Sequence, residues 1–173
     1  LGMGDWPGLR DRDPNRTPMA WTPARNGGFS SAPDPLLVLP PITAPGYDYR
    51  VVNVEVQKQL PGSLLNWHRR MLTCRRLLPA LRHGSFQLLP CSHPGALVYV
   101  RATEAMTVLV AANVTAAGAS FSLDLTVWKG LRTREVMWGC EFPLASREWF
   151  VNLSPYGINW WLIGEVDAAV PVS

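Results

Sequence analysis

From Gly84 onward the chain reads as short apolar runs broken at close intervals by turn residues, and this texture limits the fold more than any other feature. Seven runs qualify as strands: 85–89, 97–102, 107–113, 120–125, 134–138, 149–153 and 158–163. Phe121, Leu123 and Leu125 alternate with Ser120, Ser122 and Asp124, the pattern of a strand with one buried face and one wet face. Pro94-Gly95, Ala117-Gly118, Lys129-Gly130 and Pro155-Tyr156-Gly157 punctuate the runs. Short strands at such spacing predict an antiparallel β-sandwich.

The first 50 residues behave differently. They are rich in Pro, Gly, Asp and Asn and follow neither the helical nor the strand period. A structureless stretch of that length in a compact domain is uncommon, and where it exists it often serves a site. Trp6, Trp21, Phe29, Leu36, Leu37, Leu39, Tyr47 and Tyr49 give it more apolar anchors than a disordered tail carries.

Between these regions lies helical sequence. Residues 51–59 form a short candidate helix, and Pro61-Gly62-Ser63 reads as a stop followed by a start, with Ser63 the N-cap. Leu64, Trp67, Met71, Cys74 and Leu78 then recur at steps of three and four, one stripe of an amphipathic helix that Pro79 ends. Arg69, Arg70 and Arg76 fall on other faces.

Composition sets the remaining bounds. With 173 residues and 47% apolar content, the chain can hold one ordinary domain or a small domain with an attached piece. The net charge of +3 comes from scattered arginines, without a block of like charges, which argues against nucleic-acid or acidic-membrane partners. No apolar run is long enough to span a bilayer, and no leader pattern is present. Cys74, Cys91 and Cys140 are odd in number and far apart, so reduced thiols in a cytoplasmic protein are expected. His68, His83 and His93 show no ligand spacing, and neither a metal nor a cofactor is expected.

Most of the five tryptophans Trp128, Trp138, Trp149, Trp160 and Trp161 are expected to pack a core, with a sugar-stacking platform as the rival. Adjacent on one strand, Trp160 and Trp161 must point to opposite faces.

The motif that carries chemistry lies near the start. Asp11, Arg12, Asp13 and Arg16 alternate in sign, so they can pair with each other or hold a polyhydroxylated ligand. The surrounding residues, Gly2-Met3-Gly4-Asp5 and Arg12-Asp13-Pro14-Asn15-Arg16-Thr17-Pro18-Met19, resemble the loop after the eighth barrel strand in the α-amylase superfamily. Asn26-Gly27-Gly28-Phe29-Ser30, Leu39-Pro40-Pro41-Ile42, Asn53-Val54-Glu55-Val56-Gln57 and Leu153-Ser154-Pro155-Tyr156-Gly157-Ile158-Asn159-Trp160-Trp161 resemble the carboxyl-terminal third of the trehalose synthases (maltose α-D-glucosyltransferases) within it.

The resemblance implies a mainly β chain with some α: the long loop and last helix of a (β/α)8 barrel over residues 1–82, then an antiparallel β-sandwich over 83–173. It implies a parent enzyme that interconverts maltose and trehalose by retaining intramolecular glucosyl transfer. The catalytic carboxylates of that superfamily sit on earlier strands, so none is assigned in this chain, and the isolated chain is expected to be inactive. Arg16 is the expected pocket arginine, with Arg12 and Asp13 beside it as further substrate-binding candidates. A planar guanidinium suits that role because it holds a carboxylate and a hydroxyl together. An upstream barrel is the implied partner, with a homo-oligomer as a further expectation. Two other readings stay open: a fragment of an α-glucosidase-type hydrolase, and a noncatalytic carbohydrate-binding or scaffold domain. Ala20 stands where the superfamily pattern commonly has Gln, and Arg10 where it has Gly, both in the loop expected to shape the pocket.

Overall fold

The structure is a computed structural model that describes residues 1–6, 8–142 and 145–164, and of Glu141 and Phe142 the backbone only. The chain divides into two compact units, Leu1–Arg70 and Met71–Ser173.

The first unit is held by loop chemistry. Its opening segment closes on itself: the Trp6 amide donates to the Pro14 carbonyl at 3.0 Å and the Arg16 amide to that of Asp13 at 3.0 Å. Gly4 adopts φ +69°, and a Cβ there would lie 2.5 Å from the Tyr47 ring, so glycine meets both the backbone and the space requirement. Asn26 and Gly27 both take left-handed φ, 57° and 63°. The side-chain amide of buried Asn26 donates to the Ser30 and Ala32 carbonyls at 3.0 and 2.9 Å. The Gly27 carbonyl in turn accepts from Trp21 at 2.7 Å and Thr22 at 3.1 Å. Buried Ala20 lies against this turn, its Cα 3.3 Å from where a Gly27 Cβ would stand.

Ala20 also ties the loop to helix α1 (Val54–Gln59), because the Val54 amide donates to the Ala20 carbonyl at 3.1 Å. Asn53 caps α1: its Oδ1 accepts the Val56 amide at 2.9 Å while its Nδ2 donates to the Tyr49 and Arg50 carbonyls. Helix α1 thus starts three residues later than the expected run, at its asparagine cap. Helix α2 (Leu64–Leu77) starts at the expected cap, with the Asn66 amide donating to Ser63 Oγ at 3.2 Å.

Helix α2 ends before Pro79, as expected. It stops at Leu77, and Pro79 opens a further short helix, α3 (Pro79–His83), where a missing amide costs nothing. The expected stripe is also uneven: Cys74 and Leu78 are buried, whereas Leu64 is exposed.

The second unit contains the β-sandwich, with eight strands among the described residues where seven were expected. These are β1 (Ser85–Leu88), β2 (Ala96–Ala102), β3 (Thr107–Asn113), β4 (Ala119–Leu123), β5 (Thr133–Glu135), β6 (Glu141–Phe142), β7 (Trp149–Leu153) and β8 (Ile158–Ile163). One antiparallel sheet has the order β1-β2-β3-β8-β5-β6, and β4 pairs with β7 in a second. The additional strand, β6, is too short to leave a periodic signal. The run at 134–138 is strand only to Glu135 and then turns, because the Gly139 amide reaches back to the Glu135 carbonyl at 3.0 Å.

Alternation decides which residues fill the core. Val98, Val100, Leu109, Ala111, Trp161 and Ile163 from the large sheet meet Phe121, Leu123, Trp149, Val151 and Leu153 from the small one. Helix α3 lies against β2 and β3. Trp160, one residue from Trp161, is buried but outside this core cluster, so the two rings do point to opposite faces.

Candidate functional site

The sign-alternating segment forms a tight turn rather than an ion-pair ladder. Asp11 takes φ 55°, a conformation Asp tolerates better than most residues. Arg12 then leads into the single 3-10 turn Asp13–Asn15, which has Pro14 in its first positions, and Arg16 follows it. Pro14 suits that place because its φ is fixed near the helical value. The side chains of Arg12, Asp13 and Arg16 are all exposed, and among the described residues none forms a salt bridge or side-chain hydrogen bond. The turn brings them together through backbone only, leaving both guanidinium forks and the carboxylate turned to solvent.

Two ion pairs stiffen other parts of the same unit. Arg25 meets Asp34 at 3.0 Å, spanning the turn that Asn26 folds. Asp48 accepts from the Arg50 side chain and from the Arg50 amide, which together lower its pKa to about 2.

The sandwich carries two acidic features that the strand pattern did not expose. Glu135 is buried, with Oε1 and Oε2 accepting the Met137 and Trp138 amides at 3.0 and 2.5 Å. Burial pushes its pKa up, and the amides only partly oppose that. This carboxyl is spoken for by the turn it closes. The other feature is a depression of about 450 Å³ lined by Ser122, Leu123, Asp124, Arg147 and Glu148. Ser122 and Leu123 belong to β4, Asp124 follows it, and Arg147 and Glu148 come from the loop before β7.

No group of three or more His, Cys, Asp or Glu side chains able to hold a metal ion occurs among the described residues. Nor is any helix among them long and apolar enough to cross a membrane. Cys74, Cys91 and Cys140 are all thiols, Cys74 buried with its Sγ toward the Val136 carbonyl. Of the sandwich tryptophans, Trp149, Trp160 and Trp161 are buried, Trp128 is half-buried and Trp138 is exposed.

Known proteins share both units of this chain. Residues 86–160 match the maltogenic amylase C-terminal domain. Over 99% of its length the chain is 39% identical to the trehalose synthase/amylase of Mycobacterium tuberculosis, covering 29% of that protein. It is 37% identical to the trehalose synthase of Thermus thermophilus over 98% of this chain and 18% of that one. Among solved structures, the trehalose-6-phosphate hydrolase of Bacillus licheniformis superposes with a TM-score of 0.70, covering 91% of this chain and 27% of the hydrolase at 20% identity. The chain therefore spans under a third of the length of these relatives.

Proposed function

Because this chain is homologous to the C-terminal part of the trehalose synthases, in the α-amylase superfamily, we propose that it belongs to a retaining glucosyltransferase that interconverts maltose and trehalose. The observation that carries this reading is the 39% identity running through 99% of the chain, loop and sandwich alike. In this reading residues 1–82 complete the barrel with its eighth-strand loop and last helix, and 83–173 form the stabilising sandwich. The three thiols fit a cytoplasmic setting.

The proposed reaction divides one glycosidic exchange into two steps. A carboxylate of the barrel displaces the glucose leaving group of maltose at the anomeric carbon, while a second carboxyl protonates the departing oxygen. The freed glucose then turns within the site, and its anomeric hydroxyl, giving its proton to the second carboxylate, displaces the first from the glucosyl-enzyme to give trehalose. Water in place of that hydroxyl gives hydrolysis. Neither carboxyl is assigned to a residue of this chain.

Arg16 is the proposed contribution to the pocket, because its exposed fork can orient an upstream carboxylate and a sugar hydroxyl in one plane. Arg12 and Asp13 flank it on the same turn. Arg16→Ala in the complete enzyme should lower kcat/KM for maltose by about 100-fold or more while the melting temperature stays within a few degrees. The opposite pattern, lost stability with turnover intact, would make Arg16 a structural residue. Product analysis on the wild-type enzyme tests the reaction class: trehalose from maltose supports transfer, and glucose alone means a hydrolase.

A further inference from the structure

Strands β4 and β7 present an outer face that the sandwich does not use. Leu123, Trp149 and Leu153 are buried in the core, so their neighbours point the other way. Ser122 stands directly opposite Phe150, and Ser120 opposite Asn152. Residues facing each other across an antiparallel pair lie on one face with side chains in reach. All four are exposed, and Phe150 most conspicuously, at 71%. The 450 Å³ depression shares Ser122 with this face and continues to Asp124, Arg147 and Glu148. That volume lies within the roughly 300–1,000 Å³ of small-molecule clefts.

We propose that this face is a binding site for a neutral gluco-oligosaccharide, the Phe150 ring taking the apolar face of one pyranose and the depression taking the hydroxyls of the next. A pyranose has flat C–H faces and an equatorial belt of hydroxyls that both donate and accept. The face supplies each complement. Phe150 is a flat apolar surface, the Arg147 fork donates, Asp124 and Glu148 accept, and the Ser122 hydroxyl does both. Asp124 is held in place by its own turn, where Oδ1 accepts the Thr126 amide at 2.9 Å and hydroxyl at 2.5 Å, which leaves Oδ2 uncommitted among the described residues. Thr126 thereby holds the carboxyl below its usual range and charged.

The charge balance selects against other ligands. Two carboxylates beside one guanidinium repel phosphates and acidic sugars, and Arg147 discourages a cation. The lining side chains, polar apart from Leu123, offer a lipid or apolar peptide little beyond Leu123 and Phe150. Sugar binding at this face is independent of the proposed glucosyl transfer.

Calorimetric titration of the intact protein with maltotriose and with cellotriose tests it. Saturable binding of either supports the site, and the preferred trisaccharide identifies an α- or β-linked source. Phe150→Ala should weaken binding about tenfold or more and Phe150→Tyr should retain it, because stacking needs the ring alone. Arg147→Met should weaken it similarly. Phe150 is largely exposed, so the alanine variant should keep its melting temperature. Absence of saturable binding, or binding as tight as wild type in both Phe150→Ala and Arg147→Met, overturns the proposal. Binding lost in Arg16→Ala but kept in Phe150→Ala also overturns it while leaving the transferase reading in place. The reverse pattern supports the site whatever turnover the Arg16 variant retains.

Discussion

Glu135 closes the turn that follows it by accepting the Trp138 amide at 2.5 Å on one carboxylate oxygen while the other takes the Met137 amide. The pair explains why β5 ends where it does. Two donors that would otherwise continue a ladder are captured by a side chain, and the chain folds back so that the Glu135 amide donates to the Cys140 carbonyl at 2.8 Å.

Removal of that carboxyl should be costly. Glu135→Ala leaves the Met137 and Trp138 amides without their acceptor, and about 2–3 kcal/mol of stability should be lost in urea unfolding. The loss should depend on pH. Burial raises the native pKa of Glu135 above its unfolded value, so its contribution is fullest below the unfolded pKa and declines as pH rises through the native one. The penalty of the substitution should thus be larger near pH 4 than near pH 8; a larger penalty at high pH would show that the amides outweigh burial.

Asn53 should separate capping from carbonyl binding. It is fully buried, accepts one amide at the start of α1 and donates to two carbonyls before it. Asn53→Asp keeps the acceptor and should preserve the cap, yet it sets a carboxylate against the Tyr49 and Arg50 carbonyls. Asn53→Ala loses both functions. Both variants should lose about 1–3 kcal/mol in denaturant titration. If Asn53→Asp were neutral, the donor bonds would contribute nothing.

Asp48 should give the first unit an acid-sensitive element. Its pKa is lowered to about 2 by the hydrogen bonds from Arg50. A lowered carboxylate stabilises above the unfolded pKa, and its contribution disappears as pH falls through the native value. Asp48→Asn should lower the melting temperature by a few degrees at most near pH 6. Near pH 2 most of the effect should be gone, and about a unit lower it should vanish. Raised salt should shrink the effect at pH 6, because Arg50 is largely exposed.

Much of the sandwich could be read from the chain because its signal is local. Short apolar runs between turn residues placed β3, β7 and β8 at their observed bounds, and alternation marked the wet face of β4, where one buried face forces period two. The opposite facing of Trp160 and Trp161 followed from the same rule, and the Ser63 cap from its place before an apolar stripe. Motifs along the chain pointed to the family, and that resemblance marked Arg12, Asp13 and Arg16 as candidate sugar-binding residues. What only tertiary structure decided rests on contacts between residues distant in sequence or on a few atoms of geometry. The strand pairing β3 with β8 is one case, and the end of β5 at a side chain capturing amides is another. So is the depression, whose walls meet because β4 pairs with β7 across more than twenty intervening residues. Hydrophobic period tells a residue which way to face; only the folded chain determines which other residue it faces.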